Sequence, residues 1–187
     1  TVMAEAALVF SDLDMLAVTV GPGTFTGLRV GLAAARGIAL ARKLPLVGVT
    51  TLEAIAEPVA AEADETILAS FDARREEVYM QAFAADGTGQ TGPLLVGLEN
   101  ALEHLPRGPF VLSGTGAPLL ADVLERAGRE YRLSETRPQP DASVVARIAQ
   151  RLAAERGLEA FHTPPAPLYI RAPDANLPGG RDPGEAA

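Results

Sequence analysis

Residues 15–20 (MLAVTV) and 45–50 (PLVGVT) are nearly unbroken apolar runs of strand length, a pattern suited to a sheet covered on both faces. Between them lies a helical pattern over 26–43, and after them LEAIAEPVAA reads as a short helix with Thr51 as its cap. That order, strand–loop–helix–strand–helix, is the mark of a parallel α/β unit. The pattern then changes. Residues 67–72 (ILASFD) and 77–83 (EVYMQAF) flank a charged Ala73-Arg74-Arg75-Glu76 turn and predict a β-hairpin, followed by the turn-rich 85–93. A short helix is expected over 99–105, a strand entering a second glycine turn over 110–118, and a helix over 119–127. Pro140-Asp141 announces a last helix over 142–156, an extended stretch follows at 168–171, and the Pro/Gly/Asp-rich 172–187 is expected to be disordered. The first residues, TVMAEAAL, read as the last turns of a helix without an N-cap, which predicts further chain upstream.

The run GPGTFTGLRVG, 21–31, joins the first strand to the helix. A glycine loop that opens a helix invites a phosphate. A P-loop, however, ends in Gly-Lys-Ser/Thr so that a lysine reaches the terminal phosphates, and the corresponding run here is Gly27-Leu28-Arg29. A dinucleotide fingerprint spaces its glycines G-x-G-x-x-G, whereas Gly21 and Gly23 are followed by Gly27, one residue too far. The bland reading is a sharp strand-to-helix turn with Thr24 or Thr26 as cap. An anion at the helix start stays the alternative.

The helix itself is apolar on two sides. At about 100° per residue, Val30, Ala34, Gly37, Ile38 and Ala41 share one face, and Leu28, Leu32, Ala35 and Ala39 share another. The second set has the 4-3-4 spacing of a helix–helix seam, with Arg29, Arg36 and Lys43 recurring every seventh residue beside it. One face is expected to cover the chain's own sheet. The Leu28–Ala39 face is expected to meet another chain or a preceding segment of this one.

Composition narrows the chemistry. Hydrophobic residues make up 48% of the 187, enough for a core without staples, and the absence of cysteine removes disulfides and thiolate metal sites. The two histidines, His104 and His162, stand far apart with no H-x-x-x-H, so no metal and no cofactor are expected. Ser113, in LSGTG, does not fit the G-x-S-x-G of a serine nucleophile. A formal charge of −8 argues against a chain that grips nucleic acid by itself. No apolar run approaches the roughly 20 residues of a membrane span, and no secretory leader is legible, so a soluble, cytoplasmic protein with no membrane partner is expected.

GPGTFTGLRVG, with GIALA and PLVGVTTLEAIA after it, resembles the TsaB (YeaZ-like) family, the non-catalytic subunit of the bacterial tRNA threonylcarbamoyladenosine machinery. FDARREEVY and PLYIR are similar to that family's later motifs, so the resemblance runs over 3–171. It implies an actin-like (ASKHA, ribonuclease H-like) α/β fold of two lobes: 1–59 as a partial first lobe with interface helices, 60–171 as the second. It implies a scaffold that binds a TsaD-type catalytic paralogue, is joined by a TsaE-type P-loop ATPase, pairs with itself when alone, and meets tRNA only through the complex. Carried over, the interface would use Met3, Leu28, Arg29, Leu32, Ala35, Arg36 and Ala39. Gly21, Pro22, Gly23, Thr24, Phe25, Thr26 and Gly27 would shape the loop that presents it. Asp72 and Arg74 keep the family's hairpin motif and are expected at the inter-lobe cleft or against a partner.

Two departures stand out. The family's opening strand and hairpin with an Asp-Thr signature have no counterpart here, so the N-terminal strands are expected to be missing. Glu76 also occupies a turn position where the family often has glycine. The competing readings are an actin-like ATPase or phosphotransferase using the glycine turns at Gly21 and Gly114, and a plain oligomeric α/β domain.

Overall fold

The computed structural model describes residues 2–171. The 172–187 tail lies outside the described residues. Two sheets form the framework. β1 (Leu16–Gly21) and β2 (Leu46–Thr50) are parallel, with Leu16 opposite Leu46. The second sheet comprises β3 (Thr66–Arg74), β4 (Glu77–Phe83), β5 (Leu94–Gly97), β6 (Phe110–Ser113) and β7 (Tyr131–Leu133), in spatial order β5-β4-β3-β6-β7. β3, β6 and β7 are parallel, whereas β4 and β5 are antiparallel neighbours on the other side.

Among the described residues the α-helices are α1 (Val2–Glu5), α2 (Phe25–Arg42), α3 (Thr51–Ala56), α4 (Ala117–Arg126) and α5 (Ala142–Arg156), of which α2 to α5 pack on the sheets. α2 is rich in alanine, leucine and arginine, good helix formers. Thr24 caps it through a Gly27 N–H···Oγ1 bond of 3.3 Å, and it stops at Lys43, whose left-handed φ of 57° lets the chain turn away. α3 starts at a capping box: the Thr50 hydroxyl accepts from Glu53 N–H while the Glu53 carboxylate accepts from Thr50 N–H. The cap is therefore Thr50 and not Thr51, because the helix begins one residue earlier than the apolar spacing suggests. Asp141 caps α5 by accepting from Ser143 N–H at 2.8 Å.

Strand alternation divides the core. Leu68 on β3, with Val78, Met80, Phe110 and Leu112, faces α4 through Leu120 and Leu124. Ile67 and Ala69 point the other way, with Val111 and Phe83, onto Leu52, Ile55 and Val59 of α3 and its continuation. A third cluster joins Val47 and Val49 of β2 to Val144, Val145 and Ile148 of α5. α5 thus returns to the first sheet, although it follows the second sheet in sequence. α3 touches both sheets, since Ala54 belongs to the third cluster while Leu52 and Ile55 belong to the second. Arg151 of α5 grips Glu57, just past α3, in a two-pronged ion pair of 2.7 and 2.9 Å. β7 is an element the sequence pattern does not announce, because YRL is too short to show an alternation.

Candidate functional site

The C-terminal ends of β1 and β3 face a cleft of about 840 Å³. Its walls come from the first glycine loop (Pro22, Gly23, Thr24, Phe25 and Leu28), the hairpin (Phe71, Asp72, Ala73, Arg74, Arg75 and Tyr79), Thr115, Gln139, and the extended segment Leu168 to Arg171. Ligands of open α/β sheets enter at strand carboxyl ends such as these. Asp72 and Arg74, singled out from the hairpin motif, both line the cleft. Phe71, Tyr79, Thr115 and Gln139 were not singled out. Gln139 sits between two prolines, Pro138 and Pro140, and carries no motif of its own.

In the first glycine loop, close packing accounts for Gly21. Gly21 has φ +114°, and a Cβ there would lie 2.8 Å from the Leu168 carbonyl oxygen and 3.1 Å from a Leu28 methyl. Leu168 N–H in turn donates to the Val20 carbonyl at 2.8 Å, so the C-terminal segment is laid against the end of β1. Phe25 then meets Tyr169 with ring centroids 5.5 Å apart. The Arg29 guanidinium lies 3.7 Å above the Phe25 ring and donates from Nε to the Tyr169 hydroxyl at 3.0 Å. Arg36 donates to the Pro165 carbonyl at 2.6 Å.

The hairpin turn is held in an uncommon backbone. Arg74, Arg75 and Glu76 all have positive φ, at 66°, 55° and 60°. Non-glycine residues visit this region at a cost. Asp72 props the turn by accepting from Arg74 N–H at 2.7 Å and pairing with the Arg74 guanidinium at 3.1 Å. Glu76 therefore takes the left-handed conformation that a glycine would adopt without strain. Arg171 donates to the Ala73 carbonyl at 2.9 Å and pairs with the Glu77 carboxylate.

The second glycine turn is equally crowded. A Cβ on Gly114, at φ +97°, would fall 1.9 Å from the Ser70 carbonyl oxygen, and Gly116 N–H donates to that same oxygen at 3.3 Å. Ser113 and Thr136 share a hydroxyl bond of 3.1 Å, and Asp72 N–H donates to Thr115 Oγ1 at 3.0 Å. Among the described residues no group of three His, Cys, Asp or Glu side chains could hold a metal, and no helix is long and apolar enough to cross a membrane.

The two faces of α2 are used the other way round from the sequence expectation. Leu28, Leu32 and Ala39 are buried at 9%, 4% and 6% exposure, with Ala35 half-buried beside them, against the chain's own first sheet. The Leu28–Ala39 face is therefore the core face and not the contact seam. Arg29 and Arg36 are likewise committed to the C-terminal segment, and Met3 is half-buried. The opposite face is bare: Val30 is 65% exposed and Leu40 83%, with Ala33, Ala34, Gly37 and Ala41 exposed between them. Both faces obey the same 4-3-4 spacing, 28-32-35-39 and 30-34-37-41, so periodicity does not separate them. Side-chain volume does. The two leucines fill the space over β1 and β2, whereas the valine, alanines and glycine leave a shallow strip. Val2, Leu8, Val9 and Phe10 are also exposed in the segment before β1.

A family model described as TsaD: tRNA N6-adenosine threonylcarbamoyltransferase matches residues 1–177 of this chain. An uncharacterised protein of Mycobacterium tuberculosis is 37% identical over 175 residues, covering 92% of this chain and 71% of that protein. The tRNA threonylcarbamoyladenosine biosynthesis protein TsaB of Escherichia coli is 28% identical over 185 residues, covering 95% of this chain and 80% of that one. Among solved structures, YeaZ from Pseudomonas aeruginosa superposes with a TM-score of 0.67 at 26% identity, over 83% of this chain and 74% of that chain.

Proposed function

Since this chain belongs to the TsaD family, as a homologue of TsaB (YeaZ), we propose that it is a non-catalytic subunit in tRNA threonylcarbamoyladenosine biosynthesis. On this reading it binds a TsaD-type catalytic paralogue through the bare strip of α2. The observation that carries it is that strip: Val30 and Leu40 stand exposed on a helix whose other side is already packed. A helix apolar on two faces wants both covered, and small residues at Ala34, Gly37 and Ala41 let a second helix approach closely. Val2, Leu8, Val9 and Phe10 would extend the same contact. A second copy of this chain would occupy the strip when the paralogue is absent, and a TsaE-type ATPase would join the pair.

The scaffold reading also fits the glycine turns. Gly21 and Gly114 are each accounted for by a backbone carbonyl, of Leu168 and Ser70 respectively, that a Cβ would strike. Neither turn requires a phosphate to explain its glycine, which favours a subunit over an ATPase. With a formal charge of −8, tRNA would be engaged by the complex and not by this chain alone.

The test is co-purification. Wild-type chain co-expressed with a TsaD-type protein should elute with it, while Ala34→Glu should elute alone with an unchanged circular dichroism spectrum. Retention of the partner by Ala34→Glu would remove the strip from the interface. Saturable ATP hydrolysis by the isolated chain would favour the enzymatic reading.

A further inference from the structure

Residues 165–171 have no regular secondary structure, yet they are fastened along their length. On the first sheet and its helix α2 they are held at Pro165, Leu168 and Tyr169. The Pro165 carbonyl accepts from Arg36, and the Pro165 ring packs over Gly48 so closely that a Cβ there would sit 2.8 Å away. Leu168 N–H bonds to Val20 O, and Tyr169 is clasped by Phe25 and Arg29. On the second sheet the segment is held by Arg171, through the Ala73 carbonyl and the Glu77 carboxylate. Among the described residues the anchorage is unequal in kind: apolar packing, backbone bonding and ring contact on one side, the half-buried Arg171 guanidinium on the other.

The segment also forms a wall of the cleft, between the first glycine loop and the hairpin. The two sheets also share α3, and the Glu57–Arg151 pair ties the end of α3 to α5, so that together they form a packed seam. This arrangement has the parts of a hinge with a clasp: α3 as the seam about which the sheets can swing, Arg171 as the catch that sets how far apart they stand. Contacts of this kind, few and charged, break at lower cost than a packed core.

We infer that residues 165–171 are a releasable strap, and that detachment of Arg171 from Ala73 and Glu77 lets the hairpin swing away from the first glycine loop and opens the cleft. The inference is independent of which partner sits on α2, because the strap lies across the sheets while the bare strip of α2 faces away from them. It assigns the cleft two widths, with the strap fixed to the first sheet in both.

The chain has no cysteine, so paired spin labels can be placed without background. Cysteines at Arg42 on α2 and Glu125 on α4, both exposed, report the spacing of the sheets through electron–electron dipolar coupling. Labelled protein diluted into unlabelled protein restricts the signal to one chain. The expected result is one narrow distance distribution for the otherwise unchanged chain. In both Arg171→Ala and Glu77→Gln it should be broader and shifted. Glu77→Gln removes the charge pair from the hairpin side, leaving the Ala73 bond and the strap's own packing in place, so the pair of variants separates weakening of the catch from loss of the segment's own packing. Distributions unchanged in both variants would overturn the inference. So would a lower melting temperature with an unchanged distribution, since Arg171 would then be a static tie.

Discussion

Gly114 lies against Ser70 so closely that the space for a side chain is already taken by the Ser70 carbonyl oxygen, 1.9 Å from where a Cβ would sit. The contact lets β6 turn sharply into α4 beside β3, and it places Thr115 where its hydroxyl accepts from Asp72 N–H. A glycine that reads in sequence as a nucleotide-loop element is thus a packing element between two strands.

Gly114→Ala should therefore cost about 3 kcal/mol or more, from the left-handed backbone together with an unavoidable clash. Chemical denaturation of the variant checks this. A loss under about 1 kcal/mol would mean that the turn relaxes freely.

On α2, Leu32→Ala should destabilise by about 2–5 kcal/mol, because it empties a buried site over the first sheet. Gly37→Ala should do the reverse in the isolated chain. Its Cβ meets nothing within 4 Å, so the gain in helix propensity, about 0.5–1 kcal/mol, should appear as a higher melting temperature. If the strip is the partner surface, the same methyl should weaken assembly, which size-exclusion chromatography with the TsaD-type partner would register.

At the hairpin, Glu76→Gly should stabilise by about 1 kcal/mol, because φ +60° is open to glycine without strain. An equal or lower melting temperature would show that the surrounding hydrogen bonds, and not the residue type, set the turn.

The Glu57–Arg151 pair predicts an acid response. The Arg151 hydrogen bond, aided by the charges of Arg151 and Arg147 and opposed by burial, holds the Glu57 carboxyl below its ordinary value of 4.5. Its stabilisation is present above 4.5 and is lost as pH falls through the lower folded-state value. Glu57→Gln should therefore cost up to about 1 kcal/mol at neutral pH, as befits a solvent-accessible pair. The difference from the unchanged chain should vanish in strong acid. A penalty that persists unchanged there would assign Glu57 a packing role instead.

The sequence by itself determined the elements other than β7, the glycine turn after the first strand and the family, because these rest on local periodicity and on motifs contiguous in the chain. The hairpin was legible for the same reason, since its two apolar runs flank a short charged turn. Which face of α2 is covered was decided by tertiary structure: 28-32-35-39 and 30-34-37-41 repeat identically along the helix, and only the depth of the sheet beneath selects the leucines. The return of α5 to the first sheet, and the crossing of Arg171 to Ala73 and Glu77, likewise join residues 94 or more apart. Such contacts leave no periodic trace, because each depends on one side chain meeting one distant group.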